Sequence, residues 1–194
     1  MHGDHDRYTI DTGRGHSGIS GPITDQALAN FHPNIMLLTI GTKDINGNAD
    51  VGNAPKRLGT LSDDITTRAP NALVVVATII PIANDGTNQK VQTFDAALPG
   101  PVNTRATAGK DFVLLDNSAA FSKDSSDRTT LMSDNPHPND ASYVVLGRAR
   151  YDAIHAVLPR RRDDSGAVVR TVDGTARRLT LLRLVTDMGQ IRSK

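Results

Sequence analysis

The sequence contains no cysteine and no tryptophan, and all 21 of its acidic residues are aspartate. Each absence removes chemistry. Without cysteine there is no thiol nucleophile, no disulfide, no zinc–thiolate site and no iron–sulfur cluster. Without glutamate there is no HExxH metalloprotease helix and no EF-hand closed by a bidentate glutamate. Any carboxylate that moves a proton or orients a base must therefore be an aspartate. No apolar run reaches membrane-spanning length, and the opening Met1-His2-Gly3-Asp4-His5-Asp6 is no signal peptide, so the chain as it stands reads as cytoplasmic and without a membrane partner. Nothing in the spacing of its side chains demands a metal or another cofactor.

What is present suits one α/β domain followed by a tail. The 194 residues are enough to bury a substantial core. The net charge of +1 argues against nucleic acid as a partner, but the charge is unevenly spread. From Arg160 onward nine Lys and Arg stand against four Asp (+5), leaving 13 bases and 17 acids (−4) in the first 159 residues. A basic tail of this kind is usually a solvated face or a subunit contact.

Three continuous apolar runs, Asn34–Ile40, Leu73–Pro81 and Phe112–Asp116, have the Val/Ile/Leu character of parallel strands covered on both faces. Helical segments precede them at Ile23–Phe31, at Pro55–Arg68 and, interrupted by Pro99 and Pro101, at about Val91–Ala108. A fourth helix is predicted over Asn139–Leu158, capped by Asn139 or Asp140, with Tyr143, Leu146, Arg150, Ile154, Val157 and Leu158 on one stripe. Strands alternating with helices predict a mostly parallel sheet over residues 1–158. In the tail (159–194), Ala167–Val172 and Arg178–Val185 flank Asp173-Gly174 and predict a β-hairpin entered through a linker at Arg160–Gly166.

Ligands of an open parallel sheet collect at the carboxyl ends of its strands. Two loops there carry candidate chemistry. The first strand runs into Ile40-Gly41-Thr42-Lys43-Asp44, and the last helix is preceded by Ser133-Asp134-Asn135-Pro136-His137-Pro138. An isolated Asp-x-x-His on a proline-containing loop is commonly a turn with capping residues. Its functional alternative is a general base, His137, whose second ring nitrogen is held by Asp134.

Taken together, these blocks resemble the SGNH (GDSL-type) hydrolases, in particular carbohydrate-esterase-like members. Gly15-His16-Ser17-Gly18 is similar to the family's glycine-bearing second block. HPNIMLLTIGTKD is similar to its third block, a strand running into Gly-x-Asn-Asp. SDNPHPND with ASYVVLGRARYDAI is similar to its terminal Asp-x-x-His block and helix. The resemblance implies a flavodoxin-like three-layer sandwich and hydrolysis of small carboxylic esters, often acetyl groups on sugars. It implies a catalytic serine activated by His137, with Asp134 orienting the imidazole. Gly18, Gly41, Lys43, Asp44 and His16 would form the oxyanion and substrate-binding surroundings.

The chain departs from that family in two places. It contains no Gly-Asp-Ser, the block that carries the nucleophile at the end of the family's first strand, so the expectation is a chain shortened at its start and lacking that strand. Ser17 is the best substitute nucleophile, and its alternative role is to shape a loop whose Gly18 N–H donates to the oxyanion. Lys43 stands where the family has the asparagine that donates to the oxyanion, putting a flexible point charge in place of a fixed planar donor. A missing strand also leaves an open sheet edge, which the tail hairpin or a second subunit would cover. The partners implied are a small ester substrate and a second copy of the chain.

Overall fold

In a computed structural model the chain is described over residues 21–121, 128, 130–134, 137–158, 160–162 and 168–170. Ser17, Gly18 and His16 lie outside these residues. The elements are α1 (Pro22–Phe31), β1 (Ile35–Leu38), α2 (Thr42–Asn46), α3 (Ala54–Arg68), β2 (Leu73–Ala77), α4 (Asp85–Ala97), α5 (Pro99–Thr107), β3 (Phe112–Leu115), α6 (Asp140–Val157), β4 (Arg160–Arg162) and β5 (Val168–Arg170).

The strands form a parallel sheet in the order β1-β2-β3, with Ile35 opposite Leu73 and Val74 opposite Phe112. Because strand side chains alternate, the sheet presents two apolar faces. Met36, Leu38, Val74, Val76, Phe112 and Leu114 pack against α1, α3, α4 and α5 on one face. Ile35, Leu73, Val75, Ala77, Val113 and Leu115 face α6, which meets them with Ala149, Ala153, Ile154 and Val157. This is the three-layer α/β sandwich with a mostly parallel sheet that the sequence predicts, and β2, buried at every residue, is its centre.

The differences from the predicted elements have local causes. The apolar run after β2 stays buried through Ile80, but its ladder stops at Ala77 because β3 ends opposite it at Leu115. The proline-interrupted segment is two helices, parted at Leu98, whose N–H still reaches Asp95 O (3.1 Å) while Pro99 opens α5. Asn139, not Asp140, caps α6, accepting from Ser142 N–H at 3.1 Å. Tyr143 is on the predicted stripe yet is 44% exposed, because α6 meets the sheet through its second half, at Ala149, Ala153, Ile154 and Val157. The Arg160–Arg162 segment, read from sequence as linker, is itself a strand, paired antiparallel with Val168–Arg170. The expected second hairpin strand, 178–185, lies outside the described residues.

Candidate active site

Each strand delivers a polar loop to the carboxyl end of the sheet. After β1 the chain turns at Gly41 into α2. Gly41 has φ +115, and a Cβ there would stand 2.8 Å from Phe94 Cζ and 3.3 Å from Ile79 Cδ1. Only glycine combines that backbone with that approach. Asp44, three residues on, is fully buried, and its Oδ1 accepts from Arg57 Nη2 at 2.7 Å. The same guanidinium donates to Ala49 O (2.8 Å) and Asp50 O (3.0 Å). Asp44 thus anchors the loop from beneath. Lys43, beside it, is half-buried and is the member of this pair that reaches the surface.

The loop before α6 carries a second group of candidate residues. His137 Nδ1 lies 2.6 Å from Asp134 Oδ1, and the His137 backbone N–H donates to the same oxygen at 3.0 Å. That backbone hydrogen bond is the largest influence lowering the Asp134 pKa, joined by the hydrogen bond and charge of the His137 ring. Asp134 is therefore held as a carboxylate, with Nδ1 the His137 ring nitrogen turned towards it. The loop is closed on itself by Ser133 N–H to His137 O (2.8 Å) and a bridge between Met132 and Pro138. Asn139 Nδ2 donates to Thr130 O (2.7 Å), and Ser142 Oγ donates to Leu131 O. Ser133 Oγ donates to the His137 carbonyl (3.1 Å), a structural contact.

Sequence reading missed a third group, at the ends of β2 and β3. Asp95 of α4 accepts from Ile79 N–H at 2.9 Å. Burial pushes its pKa up to about 7, against the lowering effect of that hydrogen bond and with the help of the Asp116 charge. Asp116 itself accepts from Ser118 Oγ (2.6 Å), Ala119 N–H (3.0 Å) and Thr78 Oγ1 (3.3 Å). Asn117, fully buried, donates to Thr78 O at 3.0 Å. The available signal was Asp95 lying between Val91, Phe94 and Leu98, one charge against a buried helical stripe.

The family is decided by a model of GDSL-like lipase/acylhydrolases, which matches residues 2–145. The chain belongs to that family. Solved structures agree on the fold. A family 3 carbohydrate esterase of Clostridium thermocellum is 24% identical with a TM-score of 0.57 over 68% of this chain and 61% of that one. A family 3 carbohydrate esterase of Talaromyces cellulolyticus is 22% identical with a TM-score of 0.61 over 72% and 68%. An acetyl esterase mutant with a bound acetate ion is 23% identical with a TM-score of 0.59 over 72% and 69%. The chain thus spans about three-fifths of the Clostridium esterase. No curated protein sequence matches it. Among the described residues no helix of this GDSL-family chain is long and apolar enough to cross a membrane.

Proposed function

We propose that this GDSL-family chain hydrolyses small carboxylic esters, acetyl esters of sugars foremost, with His137 as general base and Asp134 as its orienting acid. The observation that carries the reading is the 2.6 Å contact between His137 Nδ1 and Asp134 Oδ1, on a loop fixed by its own backbone hydrogen bonds. Membership of an acylhydrolase family and the acetyl and carbohydrate esterases among its structural relatives support the substrate class.

In this reaction a hydroxyl oxygen, that of Ser17 or of water, attacks the ester carbonyl carbon and passes its proton to His137 Nε2. The imidazolium so formed is stabilised by the Asp134 carboxylate. The tetrahedral oxyanion is met by the Gly18 and Gly41 region and the Lys43 ammonium, with His16 beside the substrate. Collapse expels the alcohol, which takes the proton back from His137. Where Ser17 is the nucleophile, a water activated by the same histidine releases the acid. Positioned proton transfer of this kind contributes about 10²- to 10⁴-fold. A second reading, a GDSL-family cleft kept for binding rather than turnover, is favoured by one observation: the sequence has no Gly-Asp-Ser.

Hydrolysis of p-nitrophenyl acetate by the wild type, Ser17→Ala and His137→Ala, alongside fluorophosphonate labelling and peptide mapping, separates these readings. The proposal expects His137→Ala to lose about 10²- to 10⁴-fold in kcat. A label on Ser17 identifies the serine route, and activity without a label identifies water. Turnover unchanged by His137→Ala overturns the proposal. No turnover and no label favours the binding cleft.

A further inference from the structure

Among the described residues the outer edge of β1 pairs with no strand, and it is lined on both faces. Leu73 N–H donates to Asn34 O, so the alternation of a parallel ladder turns Met36 and Leu38 towards β2. The N–H and C=O groups of Ile35, Leu37 and Thr39 point the other way. An open edge of this kind is a template for another strand. On one face it is overhung by α1. Arg105 of α5 holds Asp63 of α3 (2.6 Å), and Arg68 of α3 holds Asp25 of α1, so this layer runs in the order α1, α3, α5. Since α5 packs on β3, at the far side of the sheet, the flank of α1 turned from α3 lies beyond β1. Asp25 is on one side of the buried Thr24 and Leu28, and Ile23, Ala27 and Phe31 line the other side at helical spacing. Ile23 is 40% and Phe31 64% exposed.

On the other face stands α6. Leu37 is 47% exposed there, and Arg150 reaches Thr39 Oγ1 (3.3 Å). Tyr143 and Gly147 precede Arg150 on one line of the helix, and a Cβ at Gly147 would meet nothing within 4 Å. The guanidinium is the unusual member of this lining. Arg57, Arg68, Arg105, Arg128 and Arg148 each hold an aspartate. Arg150 holds none among the described residues, and its Nε is buried without a hydrogen bond. A half-buried guanidinium left without an anion is costly, and a carboxylate is what its planar fork fits.

We propose that this slot binds an extended peptide strand of a second polypeptide, with an acidic side chain beside Thr39 and Arg150 and apolar side chains along the α1 flank. Addition of a strand to an open edge takes its affinity from the main chain and its specificity from alternate side chains. Residues side by side in a sheet share a face, so the alternation of one strand meets every feature of the slot. The residue beside Leu37 points to α6 and is apolar. The residue beside Thr39 points to the same face and is acidic. Those beside Met36 and Leu38 point to the Ile23–Phe31 flank and are apolar. Counted towards the carboxyl end of β1, the pattern is three apolar residues and then an acid. A second copy of this chain fits less well, because pairing its own β1 edge here brings its overhanging α1 against the first. The proposal stands whether or not the chain hydrolyses esters.

The test reads amide hydrogen exchange of the full chain against the peptide acetyl-Ser-Asp-Val-Leu-Val-Asp-Ser-amide, whose pattern is the same in either direction. In the chain alone, the amides of Met36 and Leu38 should exchange slowly and those of Ile35, Leu37 and Thr39 fast. Added peptide should slow Ile35, Leu37 and Thr39 selectively. Replacing both aspartates of the peptide by asparagine should weaken it about tenfold. Arg150→Gln should bring the aspartate peptide down to the affinity of the asparagine one. The two peptides are also compared on the unsubstituted chain, so the charge test survives a variant that does not fold. Three results overturn the proposal in the absence or presence of peptide. Ile35, Leu37 and Thr39 already protected in the dilute chain mean that the chain covers its own edge. Protection that grows with protein concentration alone identifies a second copy. A peptide that leaves the alternation unchanged, or binds equally well with asparagine, removes the recognised strand.

Discussion

Asp95→Asn should make the protein more stable, and only at neutral and alkaline pH. In the folded chain the Asp95 pKa is pushed up to about 7 from 3.8, chiefly by burial. The folded state therefore keeps a proton that the unfolded state has released. This makes stability fully present below about pH 4 and progressively lost as pH rises through about 7. The full shift corresponds to about 4 kcal/mol, and the part falling between pH 5 and pH 8 to about 2–3 kcal/mol. An asparagine keeps an oxygen to accept from Ile79 N–H and brings no charge towards Asp116. Urea unfolding of wild type and variant at the two pH values isolates the effect, because histidine titration is common to both proteins and cancels. The wild type should lose about 2–3 kcal/mol more than the variant between pH 5 and 8. For a chain of this size that is a difference in Tm of about 5–10 °C. Parallel pH profiles for the two proteins would refute the idea that Asp95 is held protonated by its surroundings.

Three further outcomes follow from the geometry. Gly41→Ala puts a Cβ against Phe94 at an unfavourable φ and should cost about 1–3 kcal/mol in denaturant unfolding. Arg57→Met strands the fully buried Asp44 carboxylate and should cost about 3–5 kcal/mol, most of it recovered in the double variant with Asp44→Leu. Asn139→Ala removes the acceptor for Ser142 N–H and should lower stability by about 1 kcal/mol. That change should also broaden the NMR signals of His137, since Asn139 Nδ2 ties the same loop to Thr130.

The sheet was legible because its strands are continuous apolar runs bounded by helical segments, and burial on both faces writes itself into composition. What the runs do not report is where hydrogen bonding stops. Ile79 and Ile82 are as buried as the strand before them but lie beyond the end of its ladder. The Asp134–His137 pair was legible because both groups sit on one short loop, where spacing nearly determines contact. The burial of Asp44 against Arg57 was not legible, because it depends on a side chain 13 residues away. Asp95 and Asp116 escaped for the same reason, since their proximity exists only once α4 and β3 are folded together.

The Arg57 clamp has a bearing on how position 43 can be read. By gripping Asp44 within α2 and the carbonyls of Ala49 and Asp50 just after it, it sets the path of the loop without engaging the Lys43 side chain. Backbone placement and side-chain identity are thereby separable at this point. An exchange at Lys43 is therefore expected to change the group the loop carries while the Arg57 contacts keep the loop in place. The loop is in that sense a fixed socket, and the residue at 43 an interchangeable fitting.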